Sequence, residues 1–166
     1  MNNQDAHVLD IISVRFCGVM EKSGIVSVPT GTISPGRRDH KTGRWRGAIS
    51  AKHSAVAAGL GWIGKNTLLV TPEYGNMVWL SSVLIDTELE PDPMLSECLC
   101  KDDCSLCIVN CPVNALGNPE MNQSACSSFA FHEVEGDDWT IKCYKCRTIC
   151  PYCYGSKNTF IKPSAV

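Results

Sequence analysis

The spacing of the cysteines constrains this chain more than any other feature. Two segments, Cys104–Pro112 and Cys143–Pro151, share the pattern C-x2-C-x3-C-P. This pattern is typical of bacterial iron–sulfur proteins with two [4Fe–4S] clusters, in which the last Cys before Pro ligates the other cluster. The short x2 gap lets two thiolates reach one cluster, and the x3 gap with the Pro turns the last Cys towards the neighbouring cluster. We therefore predict two [4Fe–4S] clusters with interleaved ligands.

Each pattern lacks a first ligand at the usual x2 distance, so the remaining ligands must come from elsewhere. Upstream of the first pattern, Cys100 is the natural substitute, and Cys98 is the alternative. For the second pattern Cys126 would arrive on a loop, and Cys153 is the alternative. The predicted ligand sets are Cys100, Cys104, Cys107 and Cys150 for one cluster, and Cys111, Cys126, Cys143 and Cys146 for the other.

Zinc sites, disulfides and buried free thiols are the competing roles for these cysteines. Structural zinc sites also use C-x2-C pairs, but they do not call for a crossing C-P, which both segments have. Disulfides suit small secreted chains, and this sequence shows no signal peptide. Free thiols buried in a core would not repeat a spacing. Paired motifs are a far stronger signal than a single C-x2-C, so clusters are the prediction.

Composition narrows the class of protein. The chain has 166 residues, 11 cysteines and a net charge of −2, which allows one domain or one domain with a small appendage. This charge balance predicts no nucleic-acid partner, and no apolar run approaches the length of a membrane span. Many cysteines without export signals predict a reducing cytoplasm, where thiolates remain available to iron.

Periodicity and turn residues predict a mixed, α+β, arrangement of short elements. The stiff Glu90–Pro93 stretch is the predicted boundary between a first part, residues 1–95, and a cluster part, residues 96–155, with 156–166 as a loose tail. The predicted elements are a helix over Ala6–Lys22, a strand over Ile25–Val28, a loop over Gly31–Gly47, a helix over Ser50–Ala58, and a hairpin or two neighbouring strands over Thr67–Val70 and Met77–Ile85.

The predicted loop over Gly31–Gly47 is rich in basic residues. One interpretation is a solvated, mobile loop, the usual behaviour of a run of like charges. The other is a contact for the phosphate of a cofactor, or a docking patch for an acidic electron donor. The residues concerned are Arg37, Arg38, Lys41, Arg44 and Arg46.

The segment Gly59–Asn66, G-L-G-W-I-G-K-N, contains two familiar nucleotide-binding patterns, G-x-G-x-x-G and G-x4-G-K. Both require a strand before the glycines and a helix after them, so that the phosphate meets the helix N-terminus. Here a predicted helix precedes the glycines and a predicted strand follows. We therefore predict only a glycine loop whose backbone N–H groups approach some ligand closely.

These motifs together resemble a known group. The segment A-A-G-L-G-W-I-G-K-N-T-L-L-V-T-P-E-Y-G-N, then V-L-I-D-T-E-L-E-P-D-P and the Cys patterns, resembles the epoxyqueuosine reductase and reductive dehalogenase superfamily over about residues 48–153. The resemblance implies a nitroreductase-like α/β portion over residues 1–95 that holds a corrinoid such as cobalamin. It also implies a C-terminal ferredoxin-like domain over residues 96–155 that carries the two clusters and feeds electrons to the corrinoid.

The resemblance also implies site residues and exposes two departures. The eight cysteines named above are the implied metal ligands, and no catalytic residue is identified. Relatives carry a long N-terminal portion, whereas about 45 residues precede the shared block here. Counting back from Gly59 without gaps, Trp45 stands where the reductases have a catalytic Asp. The residues implied for the corrinoid side are Gly59, Gly61, Trp62, Gly64, Lys65, Asn66, Tyr74 and Gly75.

Two functions follow from these observations. The first is an iron–sulfur oxidoreductase, or the electron-input and cofactor-binding part of a corrinoid-dependent reductase. The second is a non-catalytic, ferredoxin-type electron-transfer module that serves a separate partner enzyme. Either function implies an electron-donor protein of the ferredoxin or flavodoxin type. A homodimer that completes the missing N-terminal surface is a further expectation.

Overall fold

A computed structural model describes residues 3–32, 36–117, 120–134 and 138–156. Thirteen short elements are present in these ranges, and the mixed helix and sheet content confirms the predicted class in its coarse form. Most of the predicted tail and residues 33–35 of the predicted basic loop lie outside the described residues. The elements in chain order are α1 Asn3–Lys22, β1 Ser27–Pro29, β2 Gly36–Arg38, β3 Trp45–Gly47, α2 Ala51–Ala57, β4 Trp62–Ile63, β5 Leu69–Val70, β6 Val83–Ile85, α3 Leu106–Val109, α4 Gln123–Ala130, β7 Phe131–Val134, β8 Asp138–Ile141 and α5 Lys145–Thr148.

The strands form four antiparallel pairs rather than one large sheet. Strand β1 pairs with β6, β2 with β3, β4 with β5, and β7 with β8. Helix α1 packs on β1 and also contacts β8, so the N-terminal helix lies against a strand from the C-terminal part of the chain. Within the described residues, none of the helices combines the length and the apolar character that crossing a bilayer requires.

The predicted first helix is confirmed, but most of the large apolar residues whose spacing predicted it are exposed. The buried residues of α1 are Ala6, Ser13 and Cys17. Small side chains allow close approach, and the Ser13 hydroxyl lies 2.9 Å from the Ser81 hydroxyl. Of the six large apolar residues in the predicted pattern, Leu9 and Met20 are half-buried, and the other four are 49–60% exposed. These four are Val8, Ile12, Phe16 and Val19.

The predicted loop over Gly31–Gly47 is wrong in one respect, because it contains the β2–β3 hairpin. Arg37 lies opposite Arg46 in this hairpin, and Arg38 lies opposite Trp45. The turn is closed by Asp39, whose carboxylate accepts the backbone N–H groups of residues 41 and 42 at 2.9 and 2.8 Å. Such an Asx-type turn stabilises a hairpin without apolar alternation, which is why the pattern of side chains did not predict the strands.

The predicted pairing of Thr67–Val70 with Met77–Ile85 is also wrong. Strand β5 pairs with β4, and β6 pairs with β1. The reason lies in the turn between them, because Thr71 and Gly75 exchange two backbone hydrogen bonds of 2.9 Å and close the turn on itself. The next residue, Asn76, donates its backbone N–H to the Cys153 carbonyl at 3.0 Å, so the chain turns towards the cysteines instead of pairing back.

The second predicted helix is confirmed as α2, with Ser50 at its N-cap position. The Ser50 hydroxyl does not cap a backbone N–H but lies 2.7 Å from Nδ1 of His53. The order around the glycine loop is also as predicted, because a helix precedes it and a strand follows. Strand β4, which lies within the loop, was not predicted.

Candidate metal centre

The first predicted ligand set is brought together by the packing of α3 against α5. Cys107 is buried on α3, and Cys150 follows α5 by two residues. Burial raises the pKa of the Cys107 thiol, and its charge interactions with Cys100, Cys104 and Cys150 raise the pKa further. All four thiols also line one small cavity. The cavity therefore joins the four side chains of this predicted set, including Cys100 rather than its alternative Cys98.

The second predicted set forms a separate group of thiols. Burial raises the pKa of Cys126 on α4, with further contributions from Cys111 and Cys143. Burial raises the pKa of Cys146 to about 11, and its partners include Cys126, Cys143 and, more weakly, Cys107 of the first group. The two groups are thus distinct and adjacent, as interleaved clusters require. Ligation itself remains a prediction.

The thiols of the two groups are arranged too widely to form a binding site for a single metal ion. Among the described residues, no three Cys, His, Asp or Glu side chains converge closely enough to hold one metal ion. A cubane cluster needs a wider arrangement, because each thiolate binds a different iron at a different corner. The raised pKa values mean that the thiolate forms require positive charge nearby, which iron supplies in clusters.

The three cysteines left outside the predicted sets have different environments. Cys17 is buried on α1, whereas Cys98 is exposed and its thiol points to the Cys100 carbonyl at 3.6 Å. Cys153 is buried, and burial followed by the charge of Cys150 raises its pKa. Because Cys150 belongs to the first group, Cys153 lies towards that group rather than towards the group that contains Cys126.

The glycine loop lies against the first group of thiols. Gly64, Lys65 and Asn66 line the same cavity as the four cysteines. The backbone N–H of Lys65 donates to the Cys100 sulfur at 3.4 Å. Its ammonium group donates to the carbonyls of residues 101, 102 and 104 at 3.0, 2.6 and 2.9 Å. Lys65 therefore fixes the backbone that carries Cys100 and Cys104.

The other residues implied for the corrinoid side differ in burial and in the space around them. A Cβ added at Gly59 would lie 2.6 Å from the carbonyl oxygen of Pro93. A Cβ at Gly61 would lie 2.2 Å from the carbonyl oxygen of Val70, and a Cβ at Gly75 would lie 2.2 Å from the carbonyl oxygen of Cys153. The chain's own backbone therefore fills the space that these glycines leave. Asn66 is buried and donates to the Cys146 carbonyl at 3.2 Å. Trp62 is half-buried on β4, and Tyr74 is 51% exposed.

Sequence reasoning missed two residues that join the cysteine groups, Asn76 and Arg147. Asn76 is fully buried, and its amide donates to the Arg147 carbonyl at 3.3 Å and hydrogen-bonds with Cys150. The Arg147 guanidinium donates to the Asn76 carbonyl. Burial lowers the pKa of Arg147, whereas Cys146, Tyr144 and Cys153 raise it. The sequence signal that could have indicated Arg147 is its place in the chain, because it directly follows the predicted ligand Cys146.

Comparisons with known proteins add to this geometry. No family model matches the sequence. The chain is 36% identical over 116 residues to epoxyqueuosine reductase of Listeria monocytogenes, a match that covers 64% of this chain and 30% of the relative. It is 36% identical over 120 residues to epoxyqueuosine reductase of Gloeobacter violaceus, with coverage of 64% and 36%.

Solved structures give the same family. Epoxyqueuosine reductase from Streptococcus thermophilus superposes with a TM-score of 0.67 at 27% identity, over 93% of this chain and 41% of that one. A crystal structure of epoxyqueuosine reductase with a modified tRNA-Tyr stem loop superposes with a TM-score of 0.63 at 28% identity, over 89% and 38%. The chain thus spans about a third of the length of its curated relatives. Over that length it is related in sequence and in fold to the epoxyqueuosine reductases, as its motifs predicted.

Proposed function

We propose that this chain is an iron–sulfur redox protein that carries two [4Fe–4S] clusters and supplies electrons within a reductase. In this proposal residues 96–155 form a ferredoxin-like domain, and residues 1–95 form a partial nitroreductase-like portion. The observation that carries the proposal is that Cys100, Cys104, Cys107 and Cys150 line one cavity, which is the membership that interleaved C-P motifs require for one cluster.

The chain's own residues fit such clusters. When bound, a [4Fe–4S] cluster supplies one-electron transfer at a potential set by charge, hydrogen bonds to sulfur and exposure. Backbone N–H groups donate to two predicted ligand sulfurs, from Lys65 to Cys100 at 3.4 Å and from Ala115 to Cys111 at 3.2 Å. Hydrogen bonds of this kind stabilise the anionic form of the sulfur and so tune the potential.

The charge of Arg147 gives independent support. Arg147 is half-buried, its guanidinium donates to the Asn76 carbonyl, and no carboxylate pairs with it among the described residues. A charge that is partly removed from water favours a counter-charge nearby. A cluster with four thiolate ligands is anionic overall, so it would supply the counter-charge that the described carboxylates do not. Arg147 would then hold the negative charge of the cluster that Cys146 ligates.

The corrinoid part of the proposal follows from the resemblance to the reductases. At Gly59, Gly61 and Gly75 the chain's own backbone occupies the space beside the glycine, so we assign the glycine loop to the clusters. A cobalamin would have to contact the loop through side chains such as Trp62 and Tyr74. Tight cobalamin binding with a cobalt spectral change would support the reductase proposal, and its absence would support the electron-transfer module.

Partners are proposals as well. The relatives are named reductases, so an electron-donor protein of the ferredoxin or flavodoxin type is required in either version. A homodimer would cover the exposed side of α1. The structure of one relative contains a tRNA stem loop, which weighs against the expectation that no nucleic acid binds, and a tRNA substrate is therefore part of the reductase proposal.

Anaerobic purification with iron and sulfide assays tests the proposal. Two cubane clusters predict about eight irons and eight sulfides per chain. Replacement of one predicted ligand, Cys107→Ser, should remove about half of the iron or more. Cys17→Ser is the matched control, because Cys17 is an equally buried thiol on α1, and it should keep the full content. A folded, colourless and iron-free protein would disprove the proposal.

A further inference from the structure

Two adjoining cavities beside α4 point to a ligand site that lies outside the glycine loop. We propose that they bind a mononucleotide with a flat, redox-active ring, of the flavin mononucleotide class. The redox character of the ring rests on the proposed function, whereas the binding of a flat ring with a phosphate rests on the geometry alone.

The first cavity has aromatic walls and a volume of about 590 Å³. Four aromatic residues from three parts of the chain line it: Trp45 of β3, Trp79, Phe131 of β7 and Trp139 of β8. The rings of Phe131 and Trp139 pack with centroids 5.3 Å apart at an interplanar angle of 56°. Walls of this composition favour a planar ring, because aromatic faces stack on one another and exclude water.

The second cavity, of about 660 Å³, is basic and shares Trp45 and Gln123 with the first. Arg44, Arg46 and Lys52 line it. Burial lowers the pKa of Lys52, and the charges of Arg147 and Arg44 lower it further. Three cations on the wall of one cavity favour an anion between them, and a phosphate is an anion that Arg and Lys recognise well.

The carboxylates of this region leave some positive charge uncompensated. Arg44 pairs with Glu120, and Arg46 lies near Asp39. Lys52 has a backbone partner instead, since its ammonium donates to the Thr67 carbonyl at 2.5 Å. Lys52 therefore has no carboxylate partner among the described residues, and it lines the same cavity as Arg44 and Arg46.

The wall that the two cavities share is fixed in place. The Trp45 backbone N–H donates to the Gln123 side-chain oxygen at 2.6 Å, and the Gln123 amide donates back to the Trp45 carbonyl at 3.3 Å. Gln123 and Ser127 line the aromatic cavity from α4, and Cys126 lies between them in the chain. A ring in this cavity would thus lie next to the helix that carries a predicted cluster ligand, which is why we infer a redox-active ring.

Anaerobic titration of flavin mononucleotide into the full, iron-loaded chain tests the inference through quenching of flavin fluorescence. We expect saturable binding, with riboflavin at least about tenfold weaker because it lacks the phosphate. Adenosine monophosphate should also bind less tightly, since its smaller ring covers less of the aromatic wall. Hydroxocobalamin should not compete.

Two pairs of variants localise the site. Arg46→Gln should weaken binding by about tenfold, whereas Arg37→Gln, directly across the hairpin, should not. Trp139→Leu should weaken it by about tenfold or more, whereas Phe129→Leu, an exposed change on α4, should not. No binding, equal loss in test and control variants, or displacement by hydroxocobalamin would overturn the inference. Iron and sulfide assays on the same samples report separately on the proposed clusters.

Discussion

The region around the cysteine groups and helix α1 differ in the interactions that hold them in place. Around the cysteines, the chain is held by hydrogen bonds from the backbone and from Lys65, Asn66 and Asn76, and the buried apolar side chains are mostly small. Helix α1 instead exposes large apolar side chains, and packs through small ones. In both regions, the described residues bury few large apolar side chains.

The two regions therefore depend on different partners. A segment with few large buried side chains cannot offset its conformational entropy through apolar burial alone. In the proposed function the clusters act as the missing core of the cysteine region. The exposed side of α1 resembles the surface patches at which proteins contact other chains or segments.

Removal of the proposed clusters should have the largest effect. Anaerobic chelation of the purified protein should abolish amide protection over residues 96–155, because metal binding supplies the folding free energy of such a segment. Helix α1, whose hydrogen bonds are within one element, should keep more protection. Hydrogen exchange before and after chelation measures both. Native protection over 96–155 in the chelated protein would show that the cysteine region has a sufficient core of its own.

Substitution of Gly61 should have the next largest effect. A Cβ at this position would lie 2.2 Å from the Val70 carbonyl oxygen, which belongs to the paired strand and cannot move aside. Gly61→Ala should therefore lower the free energy of unfolding by roughly 2–3 kcal/mol. It should also reduce iron retention, since strands β4 and β5 flank the residues that contact Cys100 and Cys146. Anaerobic denaturation in urea measures the first effect, and an iron assay measures the second.

Loss of the Lys65 ammonium should have a smaller effect. Its three bonds to carbonyl oxygens are partly exposed to water, so Lys65→Met should cost about 1–2 kcal/mol of unfolding free energy rather than the full value of buried charged bonds. Lys101→Met is the control, because Lys101 is exposed. If both variants unfold at the same urea concentration, the hydrogen bonds of the Lys65 ammonium group do not contribute to stability.

The sequence predicted the parts of this structure that depend on local chemistry. The C-x2-C-x3-C-P spacing, with Cys100 and Cys126 added as the remaining ligands, predicted two sets of cysteines, and the four thiols of the first set line one cavity. That either set ligates a cluster stays a prediction. The Ala-rich segment after Ser50 predicted α2. The spacing of large apolar residues predicted that α1 is a helix, but not which side packs. Small residues at Ala6, Ser13 and Cys17 made close packing possible on the other side, and periodicity alone does not report this.

What could not be predicted depends on contacts between distant segments. The Thr71–Gly75 turn closes on itself, so the following chain is free to reach Cys153, and no local pattern shows that destination. Asn76 and Arg147 are 71 residues apart and become partners only in the fold. The function of the glycine loop was inferred from its resemblance, whereas the carbonyl oxygens that crowd its glycines become visible only once their partners are placed.

The smallest predicted effect is a gain in stability on α1, which is opposite in sign to the loss expected in the cysteine region. Gly18 lies within α1, and a Cβ there would meet no atom within 4 Å. Because glycine disfavours a helix interior relative to alanine, Gly18→Ala should raise the free energy of unfolding by about 1 kcal/mol. Gly61→Ala adds the same methyl group and should destabilise. Urea denaturation of both variants in parallel tests the difference, and a destabilised Gly18→Ala variant would mean that this side of α1 is already in close contact with another surface.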